Sequence, residues 1–260
     1  MPKDVAPAAA AAAANRLRSA TSRRARPAAT IVAVATAALL LTACGSSASK
    51  SPSSSSKTAA HGTSGSVSSS KPVNYQLHMV FFSHESKINP VIDPQVFVST
   101  PGTQAGTGPQ MIKHVAGITP AKQAGSPTAA LRGADGSSLK ITLGEWEKAA
   151  GTVTFSCTDG HERAASTLTG LIPSGTYSTF VVHLNVQGAG RFTPWGDAAG
   201  TDNNFTASAT GTASPTNAVT GCLGTDSAAV IIWHSDGHTH GSTPGTLGVT
   251  WHNSLITALP

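Results

Sequence analysis

Charge is scarce in this chain. Only 11% of its 260 residues are Asp, Glu, Lys or Arg, and 5% are aromatic. The charge it has is unevenly placed. Residues 1–44 hold six of the 17 basic side chains (Lys3, Arg16, Arg18, Arg23, Arg24 and Arg26) and one acid, Asp4, so the remainder carries 11 of each sign. A nucleic-acid partner requires a retained basic face, and a formally neutral remainder argues against one. Cysteine is nearly absent too. The three, at positions 44, 157 and 222, form no Cys-x-x-Cys pair, which argues against a dithiol redox motif or a thiolate zinc site. No glycine-rich loop is followed by Lys and a helix, and His84-Glu85 and His161-Glu162 lack the second His of a zinc-protease helix. The longest apolar run, 28–43, has about 16 residues, fewer than the roughly 20 that span a bilayer.

That run has arginines before it and small residues at its exit, the pattern of an export signal. Arg23-Arg24 is followed by Ala25, Arg26 and Pro27 rather than by large apolar residues, so general secretion is expected over twin-arginine export. The exit reads Leu41-Thr42-Ala43-Cys44-Gly45-Ser46. It resembles the bacterial lipobox. The resemblance implies that 1–43 is a lipoprotein-type signal peptide and that Cys44 is acylated to become the mature N-terminus. The chain would then sit on the outer face of the cytoplasmic membrane, and several acyl chains hold a protein there stably where one does not. Residues 44–72 are dominated by Ser and lack large apolar groups, so they are expected to form a flexible tether reaching roughly 30 Å.

With Cys44 lipidated, Cys157 and Cys222 remain. An even remainder in an exported chain favours one disulfide; two buried thiols, or thiolate metal ligands, are the alternatives.

From 73 to 260 the sequence is rich in Thr, Val, Gly and Ser in short alternating runs, which predicts antiparallel β structure. Strands are expected at 73–82, 151–158, 163–171, 176–185, 204–212, 227–234 and 246–252, with another near 95–100. One short helix is expected at 143–150, where Thr142 and Glu145 have capping-box spacing. Residues 85–135 read mainly as long surface loops. The fold class is therefore all-β, an antiparallel two-layer β-sandwich with one short helix and long loops. A disulfide would clamp two sheets or a long connection.

Within the C-terminal half, five features follow in order: Leu143-Gly144-Glu145-Trp146, the Cys157 strand, a Leu-x-Gly-Leu-x-Pro-x-Gly-x-Tyr turn at 168–177, Asn-Phe-Thr-Ala at 204–207, and His-Ser-Asp-Gly-x-Thr-His-Gly at 234–241. This order is similar to a group of exported, often lipid-anchored bacterial and archaeal proteins. The resemblance implies export and a β-rich fold. It transfers no activity and no catalytic residue.

Chemistry concentrates where four histidines fall close together, at His234, His238, His240 and His252. Apolar runs flank them, so they read as the mouth of a hairpin. His234 and His252 are expected to face each other, with Asp236 as ligand or supporting acceptor. Imidazole clusters suit copper or zinc. The competing reading is a loop pinned by histidine hydrogen bonds without metal. Trp195, in a Pro-Trp-Gly-Asp loop, is the expected exposed ligand contact.

Two functions follow. The favoured one is a non-catalytic binding or cell-envelope module, held to the membrane by its lipid and meeting a cell-wall or protein partner. The alternative is a secreted copper or zinc protein, such as an oxidoreductase, built on the histidines. Replacing Cys44 with Ser is expected to leave the chain unprocessed or to release it from membranes, as read by detergent-phase partitioning and the mass of the N-terminal peptide.

Overall fold

The structure, a computed structural model, describes residues 71–186 and 191–260. The expected signal peptide, Cys44 and nearly all of the tether lie outside the described residues. In chain order, strands β1 (Val73–Asn74) and β2 (Gln76–Leu77) lead into helix α1 (His78–Glu85). Six strands follow: β3 (Ile92–Ser99), β4 (Gly106–Thr107), β5 (Lys113–His114), β6 (Ile118–Lys122), β7 (Ala130–Arg132) and β8 (Ser138–Thr142). Helix α2 (Leu143–Trp146) precedes β9 (Ala150–Thr158), β10 (His161–Thr169), β11 (Thr176–His183) and β12 (Phe192–Pro194). The chain ends with β13 (Asn204–Thr206), β14 (Thr216–Thr220), β15 (Ser227–His234) and β16 (Trp251–Ala258).

Three sheets share one core. The first has order β1-β9-β10-β14, the second β12-β11-β15-β16-β2, and the third β6-β3-β7-β8; β13 pairs with β11, and β4 with β5. The paired ladders are antiparallel. Strand β10 alternates strictly between exposed and buried, so one face meets the core and the other meets water. Phe155, Leu168, Tyr177, Ile231, Trp233 and Leu255 join the first two sheets, as a sandwich requires, and Leu131 and Leu139 bring in the third.

Strand β15 breaks the alternation. All eight of its residues are buried, because the second sheet is covered on both sides. Its far face carries Phe180, Val182, Val230, Ile232 and Ile256, with Phe81 of α1 and Phe192 packed against them.

Several expectations need correction. The run 73–82 gives two short strands and then α1, because its last residues lack alternation and pack as a helix over the second sheet's far face. Residues 85–135 hold five strands, β3 to β7, rather than the single one expected, although most of the stretch lies between them. The strand expected at 246–252 begins only at Trp251. Gly245 and Gly248 have φ of +101° and +76°, and Val249, Thr250 and Trp251 donate backbone bonds to Thr246 O in a turn. The strand expected at 204–212 stops at Thr206, and β14 follows unanticipated. The capping box at α2 is present: Thr142 N donates to Glu145 Oε2 at 2.7 Å and Glu145 N to Thr142 Oγ1 at 3.3 Å. The helix itself is only four residues long.

Cys157 and Cys222 are paired, with Cα atoms 5.6 Å apart. The bond does not clamp two sheets. Cys157 closes β9 and Cys222 follows β14, and these strands flank β10 in the same sheet. It closes a loop with a sequence separation of 65. Replacing both cysteines with Ser is expected to cost about 4 kcal/mol of unfolding free energy, read as a lower urea midpoint.

Candidate functional site

The second sheet's far face is only partly covered. Helix α1 and the turn at Pro109–Met111 lie over it and leave an open cleft of about 1090 Å³. Its sheet-side wall is Val182, Leu184, Phe192, Trp251 and Ile256; Phe81, Phe82 and Ile88 face them from α1 and the segment after it. Phe192 and Trp251 meet edge to face with ring centroids 4.7 Å apart. Met111, which is 82% exposed, stands at the rim.

A polar seam completes the lining. Gln95 Nε2 donates to Gln110 Oε1 at 2.8 Å, and each of these two amides lies 3.4 Å from His78 Nε2. Gln95 Oε1 accepts the backbone N–H of Asn253 at 2.6 Å. His78 is 4% exposed, and its Nδ1 is buried without a hydrogen-bond partner. Burial lowers the His78 pKa to about 3, so the ring is neutral near pH 7. Arg191 also lines the cleft, with its Nε buried and unpartnered. Such a cleft, largely apolar with a few convergent polar groups, has the make-up of a small-molecule site.

Sequence reasoning missed this site. His78 reads as an ordinary histidine in a strand, Gln95 as the first residue of the strand expected near 95–100, and Gln110 falls in a stretch that reads as loop. The one signal was the apolar run Met79-Val80-Phe81-Phe82, which is long for an alternating edge strand.

The histidine group does not form as expected. Cross-strand register pairs His252 with Trp233 and His234 with Trp251, so the two histidines lie on opposite faces of the sheet. His252 packs against Trp233 and Trp146, at 5.4 and 6.4 Å between ring centroids. Both its nitrogens are engaged: Nδ1 lies 3.1 Å from Gln95 O and Nε2 3.2 Å from Ser235 Oγ. His252 therefore acts as a buried structural ring. His238 is exposed.

His234 and His240 do come together, with ring centroids 5.4 Å apart, and Asp236 Oδ2 lies 3.2 Å from His240 Nε2. Among the described residues, only Cys157, Glu162 and Cys222 bring three ligand-type atoms within 4.8 Å of one another, and those sulfurs are bonded to each other.

Trp195 is fully buried, stacked on Phe155 at 5.7 Å between centroids, so it cannot be an exposed contact. His183 lies at the far end of the β11–β15 ladder from His234, about seven residues or roughly 23 Å along the strand.

The chain matches no family model and no curated protein sequence. No helix among the described residues is long and apolar enough to cross a membrane.

Burial lowers the pKa of both His78 and His252, to about 3 and about 4 from 6.5. The unfolded chain takes up these protons first, so their contribution to stability is complete above about pH 6.5 and is lost as pH falls toward 4. Buried Asp93, raised to about 6, acts in the opposite sense: the folded state holds its proton longer, and its contribution declines as pH rises from about 4 to 6. His78→Gln is expected to reduce the slope of unfolding free energy by about 1.4 kcal/mol per pH unit between pH 6 and 4, measured by urea titration across that range.

Proposed function

We propose that this protein is a lipid-anchored, extracytoplasmic β-sandwich module that binds an amphiphilic small molecule in the cleft beneath α1. The carrying observation is the union, in one concavity, of aromatic and aliphatic walls with the His78–Gln95–Gln110 seam. A cleft of about 1090 Å³ holds a ligand at the upper end of small-molecule size. The apolar body would lie between Phe81, Phe192, Trp251 and Ile256. A hydrogen-bonding head would meet the Gln110 amide at the polar seam.

The polarity of the seam sets the class of head group. Two amides and a neutral imidazole favour a hydroxyl, an amide or an ester over a dense charge. Arg191 at the lining adds one cation for an acidic head. The acylated Cys44 and the tether would keep the cleft within reach of the bilayer, where amphiphiles are concentrated. Binding needs no nucleophile or proton relay in this reading.

A dansyl-labelled fatty acid is expected to bind the full chain saturably, with energy transfer from tryptophan to dansyl reporting the contact. Leu184→Trp, which fills the half-buried wall, should weaken binding by at least about tenfold while far-UV circular dichroism stays unchanged. Undiminished binding in that variant, or none in the native chain, would contradict the assignment.

A further inference from the structure

At the end of the same sheet face, where β15 runs into the turn that follows it, two imidazole nitrogens have no hydrogen-bond partner. His234 is 1% exposed. Its Nε2 lies 2.6 Å from Ser178 Oγ, the neighbouring strand's hydroxyl on that face, and its Nδ1 is buried and bonded to nothing. His240 Nε2 is likewise buried without a hydrogen bond, although Asp236 Oδ2 is 3.2 Å away, because that contact lacks hydrogen-bond geometry.

A buried imidazole normally uses both nitrogens, and an unmade hydrogen bond there costs about 1–3 kcal/mol. His240 Nε2 stands beside the Asp236 carboxylate and the His234 ring lies 5.4 Å from the His240 ring, so the three residues are neighbours although their ligand atoms do not all lie within 4.8 Å of one another. We propose that His234 Nδ1, His240 Nε2 and an Asp236 carboxylate oxygen form a site for a borderline divalent transition ion, copper(II) ahead of zinc(II).

The chemistry of each group supports this. Ser178 holds the far nitrogen of His234, the second-sphere contact by which metal-binding histidines fix their tautomer and ring plane. With the proton on Nε2, Nδ1 presents its lone pair. Two imidazoles and one carboxylate suit copper and zinc, and affinity for such ligands rises to copper in the divalent series.

The turn that carries His240 and Asp236 is held in place. Thr176 Oγ1 donates to Gly237 O at 3.1 Å. Gly200 abuts Gly241 O so closely that a β-carbon there would collide. Gly245 lies under the His240 ring, where a β-carbon would stand 2.9 Å from Cδ2. Within this frame the Asp236 and His240 side chains are 31% and 28% exposed, and metal binding requires them to turn toward the buried His234. His252 and His238 take no part. This inference is independent of the cleft reading.

The test uses the full chain in detergent, stripped with a chelator and titrated with copper(II) and separately with zinc(II). Calorimetry is expected to give one ion per chain, with copper tighter. The copper(II) electron paramagnetic resonance spectrum should show coupling to two imidazole nitrogens, and Trp251, which pairs with His234 across the ladder, should be quenched.

His240→Ala, on the half-exposed turn, should weaken copper binding at least about tenfold without changing the metal-free melting temperature. Asp236→Asn should weaken it less, and His238→Ala should leave it unchanged. Absence of stoichiometric copper binding at micromolar supply would overturn the proposal, as would binding that His240→Ala leaves intact.

Discussion

The structure depends on burying its second sheet on both faces. Strand β15 is covered throughout. Its odd-numbered residues Ala229, Ile231 and Trp233 fill the sandwich core, and the even-numbered Ala228, Val230 and Ile232 fill a second cluster. Burying a Val or Ile side chain is worth about 1.5–3 kcal/mol, so neither face can be left to water. The first sheet covers one. The other is covered by α1 and the Pro109–Met111 turn, which are smaller than the face they cover. The cleft is the remainder of that mismatch, which explains why it is apolar and why aromatic side chains line it.

A polar hinge ties the third sheet to the second. The pairing of β3 with β6 is interrupted between Asp93 and Phe97. Freed there, Gln95 gives its backbone O to His252 Nδ1 and its side-chain oxygen to Asn253 N. Asp93 accepts from Gln95 N at 2.9 Å and from Trp146 Nε1 at 2.8 Å. Every member of this buried network has a partner, which lets polar groups persist inside a β core. The irregularity sets the position of Gln95, and Gln95 sets the floor of the cleft.

Much of the fold was legible because period-two patterning survives wherever one face meets water. Strands β9 and β10 lie within a few residues of where alternation puts them, and β11 and β15, buried on both faces, fall where their β-branched, aromatic and aliphatic runs lie. The Thr142–Glu145 capping box read correctly because capping is local chemistry. The cysteine pair followed from counting, but which strands it joins did not. The errors share one cause. Helix α1 forms because a sheet needs covering, and tertiary burial leaves little trace in an eight-residue segment. Likewise Trp195 sits in a turn-like sequence, yet its ring is drawn into the core by Phe155. The histidine run was visible as composition. Its division between two sheet faces was not, because a one-residue register difference separates His234 from His252 and no sequence pattern reports it.

The account rests on the cleft left by that mismatch being a ligand site. Native mass spectrometry of the full chain, expressed in bacteria and purified in mild detergent, addresses this directly. The account predicts a population carrying one amphiphile per chain, released by mild activation. A chain that is purified bare, and stays bare after incubation with excess fatty acid or monoacylglycerol, would contradict it.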